Sequence, residues 1–192
     1  MNNRLLFLDT ETGGRNPHKH SLLSIGVVVW DYEEGVLYTN EFYIRSDSYV
    51  ITVEAERINH FNEKEHRSKA IPAKQVIAEL TEIKDTFFAD FTAIPLAGHN
   101  IAFDVQFIKQ LYSKCNCSYE KSFSHRTVDT YSIIKFLSDC QLLPNTINSS
   151  ASAFKYFGIS VLGRHTALGD AIATMQLYEK LLSTIKEKKD NG

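Results

Sequence analysis

With 192 residues, 43% of them apolar and 11% aromatic, the chain carries enough apolar surface for one substantial core. A formal charge of −2 and a pI near 6.4 argue against an extended duplex-binding face, which would carry a basic footprint, and leave room for a small cleft that takes a strand end. The sequence shows no basic leader with an apolar signal core and no run of the roughly 18–20 apolar residues a membrane span requires, so a cytoplasmic protein without a membrane partner is expected.

In chain order, "RLLFLDTE" reads as a buried strand that ends at the Gly13-Gly14 turn. "LLSIGVVVW" and "LYTNEFYIR" read as two more strands, which makes the front of the chain an antiparallel meander. From Ile71 the apolar spacing becomes helical, with Val76, Ile77, Leu80, Ile83, Phe87 and Phe88 on one stripe, and this helix feeds the short strand "AIPLAG". Phe103, Phe107 and Leu111 follow at i, i+4, i+8 and predict a helix after that strand. "TVDTYSIIKFLSD" repeats strand then helix, with Asp129 placed as N-cap, and "ASAFKYFGI" and "GDAIATMQLYEKLLSTIKEK" add two more helical patterns. Cys115, Cys117 and Cys140 have neither disulfide nor zinc spacing and read as reduced thiols. The succession predicts an α/β fold, a mixed sheet flanked by helices, as one domain over 1–186 with 187–192 as a frayed tail.

Three places carry chemistry. In a strand, residues i and i+2 share a face, so Asp9 and Glu11 stand side by side and repel unless a cation lies between them; hard divalent ions prefer such oxygen donors. Asp104 lies on the first turn of the helix after "AIPLAG", where the helix dipole favours a carboxylate. His165 and Asp170 open the longest helical pattern, but five helical residues would set them about 140° apart, so His165 is expected in the preceding loop, just after Gly163. A histidine with an unperturbed pKa near 6.5 suits proton transfer there.

Taken together, "FLDTETGG", "GHNIAFDVQFI" and "HTALGDAIAT" resemble, in order and separation, the DEDDh 3′→5′ exonucleases of the DnaQ-like, RNase T-like branch of the RNase H-like superfamily. The resemblance implies an RNase H-like fold and a metal-dependent hydrolase that releases nucleoside monophosphates from the 3′ end of single-stranded DNA or RNA. It implies Asp9, Glu11, Asp104 and Asp170 as ligands of two Mg²⁺ or Mn²⁺ ions and His165 as general base. A pair of ions about 3.5–4 Å apart would serve an in-line displacement at phosphorus. For substrate contact it implies Thr10, Thr12, Gly13, His99, Asn100 and Phe103. Gly13 stands where many members have a second threonine, and substrate preference is expected to differ there. The segment "ERINHF" at 56–61 also resembles a family segment near the substrate. Two other roles are consistent with the same resemblance: a proofreading subunit with a polymerase partner, and a non-catalytic nucleic-acid-binding module. All five residues of the implied catalytic set are present, and the chain ends soon after its last helical pattern, so a free-standing nuclease, alone or as a homodimer, is the expectation. Motif "HNIAFD" is closer to the DnaQ and RNase T pattern than to the oligoribonuclease one.

Overall fold

The computed structural model describes residues 4–161 and 165–190. Its sheet is built from the five apolar segments, β1 (Arg4–Thr12), β2 (Leu22–Asp31), β3 (Gly35–Tyr43), β4 (Ile94–Gly98) and β5 (Phe123–Asp129). Their order is β3-β2-β1-β4-β5, with β1–β2 and β2–β3 antiparallel and β1–β4 and β4–β5 parallel. Antiparallel neighbours need only a tight turn, and Gly35 at φ 77 helps make the one between β2 and β3. The parallel pairs need helical crossovers, and the chain supplies them. This is the mixed RNase H-like sheet expected from the sequence.

The helices are α1 (Val53–Asn59), α2 (Glu63–Lys69), α3 (Ala73–Phe87), α4 (Ala102–Lys114), α5 (Thr130–Asp139), α6 (Ser150–Tyr156) and α7 (Ala167–Asp190). Helices α1 and α2 were not expected, for a physical reason: α1 buries no residue and α2 buries only His66, so neither carries an apolar stripe. Side-chain caps from Thr52 and Asn62 start them instead. Asp129 caps α5 as expected, accepting from the Tyr131 N–H at 3.0 Å. Helix α7 continues to Asp190, through residues that the sequence reading assigns to a tail, while Gly163 and residues 191–192 lie outside the described part. All three cysteines are free.

Helices cover both faces of the sheet, and the alternation along β1 sorts its residues between them. Leu6 and Leu8 join the larger core cluster with Val76, Leu80 and Ile83 of α3 and Ile108 of α4. Phe7 belongs to the opposite cluster, with Val28, Trp30 and the α7 residues Ala171 and Met175. Continued to the strand end, this period of two sends Asp9 and Glu11 towards α7 and Thr10 towards α4. One strand end therefore serves two helices.

Candidate active site

The carboxylates of Asp9, Glu11 and Asp170 converge, each offering an oxygen within 4.8 Å of the others. Two devices bring Asp170 there. Asp9 pairs with Gly26 of β2, and Gly26 pairs with Glu41 of β3, so these three residues form one row across the sheet. Gly26 leaves a notch in that row, and the first turn of α7 sits in it: an added Cβ would lie 2.1 Å from the Ala167 carbonyl carbon and 2.3 Å from the Leu168 nitrogen. The helix start is fixed by Thr166, whose hydroxyl accepts from the Gly169 N–H at 3.1 Å, and by Glu41 Oε1, which accepts from the Ala167 N–H at 3.2 Å. Asp170 then falls on the first turn, directly above the β1 acids.

Asp104 approaches from the other side of the strand: it is not among the acids whose oxygens converge within 4.8 Å, but its charge acts on Asp9 and Glu11. It is 5% exposed on the first turn of α4, and the Thr10 hydroxyl donates to its Oδ1 at 2.7 Å. The residue between the two β1 acids thus positions the second motif's carboxylate.

Crowding and burial make these carboxyl groups hold their protons more tightly than ordinary acids do. Burial pushes the Glu11 carboxyl up to about 8, with Asp170, Glu41 and Asp104 adding to the effect. Asp104 is pushed up to about 7, again chiefly by burial, with the Thr10 hydrogen bond pulling the other way. Asp9 is raised well above the ordinary carboxylate range by burial and then by the Asp104, Asp170 and Glu11 charges around it. Like charges held this close call for a cation, and the donor set, all carboxylate oxygen, is of the type hard divalent ions take.

His165 lies in the turn before α7, as expected, with left-handed backbone at φ 68. It shares a cavity wall with Glu11, Glu41, Asn59 and His60, and its ring meets that of His60 edge to face at 6.2 Å. His60 is the C-cap of α1 and is itself left-handed at φ 49.

The residues expected at the substrate divide into four groups. Thr12, Gly14, Ala55, Ile58 and Phe103 line a cleft of about 340 Å³. Its floor is held by the Asn59 side-chain amide, which donates to the Thr12 carbonyl at 2.9 Å. Thr10 is engaged with Asp104 instead. Gly13 has a packing reason for being glycine, since a Cβ there would lie 2.2 Å from the Val50 carbonyl oxygen. His99 and Asn100 are tied to the start of α5: His99 Nδ1 lies 3.0 Å from the Thr130 hydroxyl, and the Asn100 N–H donates to Asp129 at 2.8 Å. Asn59 lies in the "ERINHF" segment that resembles one near the family's substrate, whereas sequence reading missed Gly26 and Glu41. Only Gly26 left a signal, a glycine inside an apolar strand, which marks close backbone approach.

The mixed sheet is RNase H-like, and its central strand ends in paired acids that meet one more acid at the start of α7. Comparison with known proteins gives the family. The Exonuclease family model matches residues 6–178, and the chain belongs to that family, in its DnaQ-like 3′→5′ exonuclease class. It is similar to the DNA polymerase III subunit epsilon of Treponema pallidum, 27% identical over 184 residues, spanning 96% of this chain and 78% of that one. It is also similar to the oligoribonuclease of Xylella fastidiosa, 26% identical over 193 residues, spanning 94% and 90%. Among solved structures, E. coli Exonuclease I in complex with a dT13 oligonucleotide shares the fold at TM-score 0.73 and 22% identity, over 98% of this chain and 43% of that one. Among the described residues, no helix is long and apolar enough to cross a membrane.

Proposed function

We propose that this chain removes nucleoside monophosphates from the 3′ end of single-stranded DNA or RNA, with Asp9, Glu11, Asp104 and Asp170 holding two divalent cations, Mg²⁺ or Mn²⁺. The observation that carries this is the convergence of Asp9, Glu11 and Asp170 within 4.8 Å beside Asp104 and His165. Asp9, Glu11, Asp104 and Asp170 would hold these cations, which would supply Lewis-acid charge at the scissile phosphate and a more acidic water. The rest falls to the protein. His165, in a turn at the cavity mouth, takes the water's proton. Thr12, Ile58 and Phe103 receive the terminal nucleotide, whose base stacks on the half-buried Phe103 ring while the cleft's polar rim meets the sugar. Such a grip suits an unpaired end, in keeping with an acidic chain.

Two measurements bear on this reading. A 3′-phosphorylated oligonucleotide, lacking a free 3′-hydroxyl, is expected to be degraded far more slowly than its unmodified twin, whereas a 5′ label leaves the rate unchanged. Equal rates for both would remove the 3′-end reading, and running DNA and RNA versions side by side assigns the sugar. For the histidine, His165→Ala is expected to lower kcat about 10²–10⁴-fold with Mn²⁺ affinity retained, the size expected of a lost general base. A fall in metal affinity of the same size would make His165 a ligand instead.

A further inference from the structure

Glu41 belongs to none of the sequence motifs, yet its carboxylate accepts three hydrogen bonds beside the site. Ser24 Oγ donates to Oε1 at 2.9 Å, the Ala167 N–H donates to the same oxygen at 3.2 Å, and the Tyr43 hydroxyl donates to Oε2 at 3.0 Å. Three elements thus meet on one side chain: β2 through Ser24, β3 through Tyr43 and the start of α7 through Ala167. Their register explains the arrangement. Glu41 stands across from Gly26, which stands across from Asp9, so the sheet presents a carboxylate, a gap and a carboxylate in one row. The α7 terminus occupies the gap, meeting Glu41 on one side and delivering Asp170 to Asp9 and Glu11 on the other. A negative charge at that terminus is favoured by the helix dipole and by the unpaired N–H groups of the first turn. Glu41 is not one of the three acids whose oxygens converge, and both of its oxygens already accept hydrogen bonds.

We infer that Glu41 is a positioning residue: it clamps the α7 N-terminus onto the sheet and thereby sets where Asp170 and His165 stand relative to the β1 acids. This rests on the reading that Asp170 is a metal ligand. Because it clamps an element that bears two site residues, Glu41 acts on metal binding and not on stability alone.

The test compares wild type, Glu41→Ala, Glu41→Gln, Tyr43→Phe and Asp170→Asn by titration with Mn²⁺ alone, by kcat and KM on a single-stranded oligonucleotide, and by Tm. Glu41→Ala is expected to weaken Mn²⁺ binding about 10–100-fold and to lower kcat, with oligonucleotide KM within about twofold of wild type. Glu41→Gln keeps an acceptor of the same shape for Ala167 and Ser24 and is expected to recover most of both. Tyr43→Phe, which frees one side of the clamp and keeps the fold if Glu41→Ala does not, is expected to weaken Mn²⁺ binding by a smaller factor. Wild-type Mn²⁺ affinity in Glu41→Ala or Tyr43→Phe would overturn the inference, whatever the change in Tm. A Glu41→Gln protein no better than Glu41→Ala would overturn it too, since charge and not the clamp would then matter. Asp170→Asn separates the two layers: if it leaves Mn²⁺ binding intact, the ligand reading itself fails.

Discussion

Asp104→Asn is expected to reduce kcat at least 10³-fold while making the metal-free protein more stable at pH 8. Both effects come from one carboxylate. Its amide replacement has the same shape and still accepts from the Thr10 hydroxyl, so the fold has no reason to change. What is lost is negative charge in a cluster that needs it to hold cations. What is gained concerns the metal-free state, where Asp104 is pushed up to about 7 from an ordinary value of 3.8. The folded form then binds a proton more tightly than the unfolded chain, so this group stabilises the fold fully below pH ~4, and that stability is lost as pH rises through about 7. Glu11, pushed up to about 8 from 4.5, extends the loss to higher pH. The metal-free wild type should therefore melt progressively lower from pH 5 to pH 8, with Mn²⁺ reversing the trend. Relief of order 2 kcal/mol in Asp104→Asn would raise Tm by roughly 4–8 °C at pH 8 and much less at pH 5. Thermal melts across that range with EDTA check it, and an Asn variant that is less stable at pH 8 would contradict it.

The second large effect is expected from a residue that carries no side chain, in the gap between Asp9 and Glu41. Gly26→Ala places a methyl group where the backbone of Ala167 and Leu168 already lies, and backbone cannot turn aside as a flexible side chain can. The α7 N-terminus must lift from the sheet, carrying Asp170 and His165 with it. Overpacking of this kind costs about 1–3 kcal/mol, and a displacement near 1 Å at a catalytic group costs about 10²-fold in rate. We expect a folded, destabilised protein with weakened Mn²⁺ binding and kcat reduced at least 10²-fold. Wild-type kinetics would mean that α7 is not seated through this notch.

These two positions mark what could and could not be read from the chain. Local rules put Asp9 and Glu11 on one strand face, Asp104 on a first helical turn and His165 in the loop before Asp170; that the five form one site was read only from the resemblance of the three motifs. The mixed sheet was legible from apolar runs that change period near Ile71. Gly26 and Glu41 depend on strand register, which pairs residues far apart in the chain and leaves almost no local trace. Thr10 shows the same limit. Its neighbours advertise a site, but that its hydroxyl serves Asp104 follows only from where α4 packs. Gly13 was expected to mark substrate preference; its contact with Val50 supplies a packing reason for the missing side chain. Helices α1 and α2 bury almost nothing and were invisible to a search for apolar stripes.

The most direct test of the whole account is digestion of a 5′-labelled single-stranded oligonucleotide by the purified protein in Mg²⁺, in Mn²⁺ and in EDTA, with Asp104→Asn in parallel. A ladder shortening one nucleotide at a time from the 3′ end, present with either cation and absent with EDTA or in Asp104→Asn, is the predicted result. An oligonucleotide left intact under every condition, or cleaved equally well in EDTA, would contradict it.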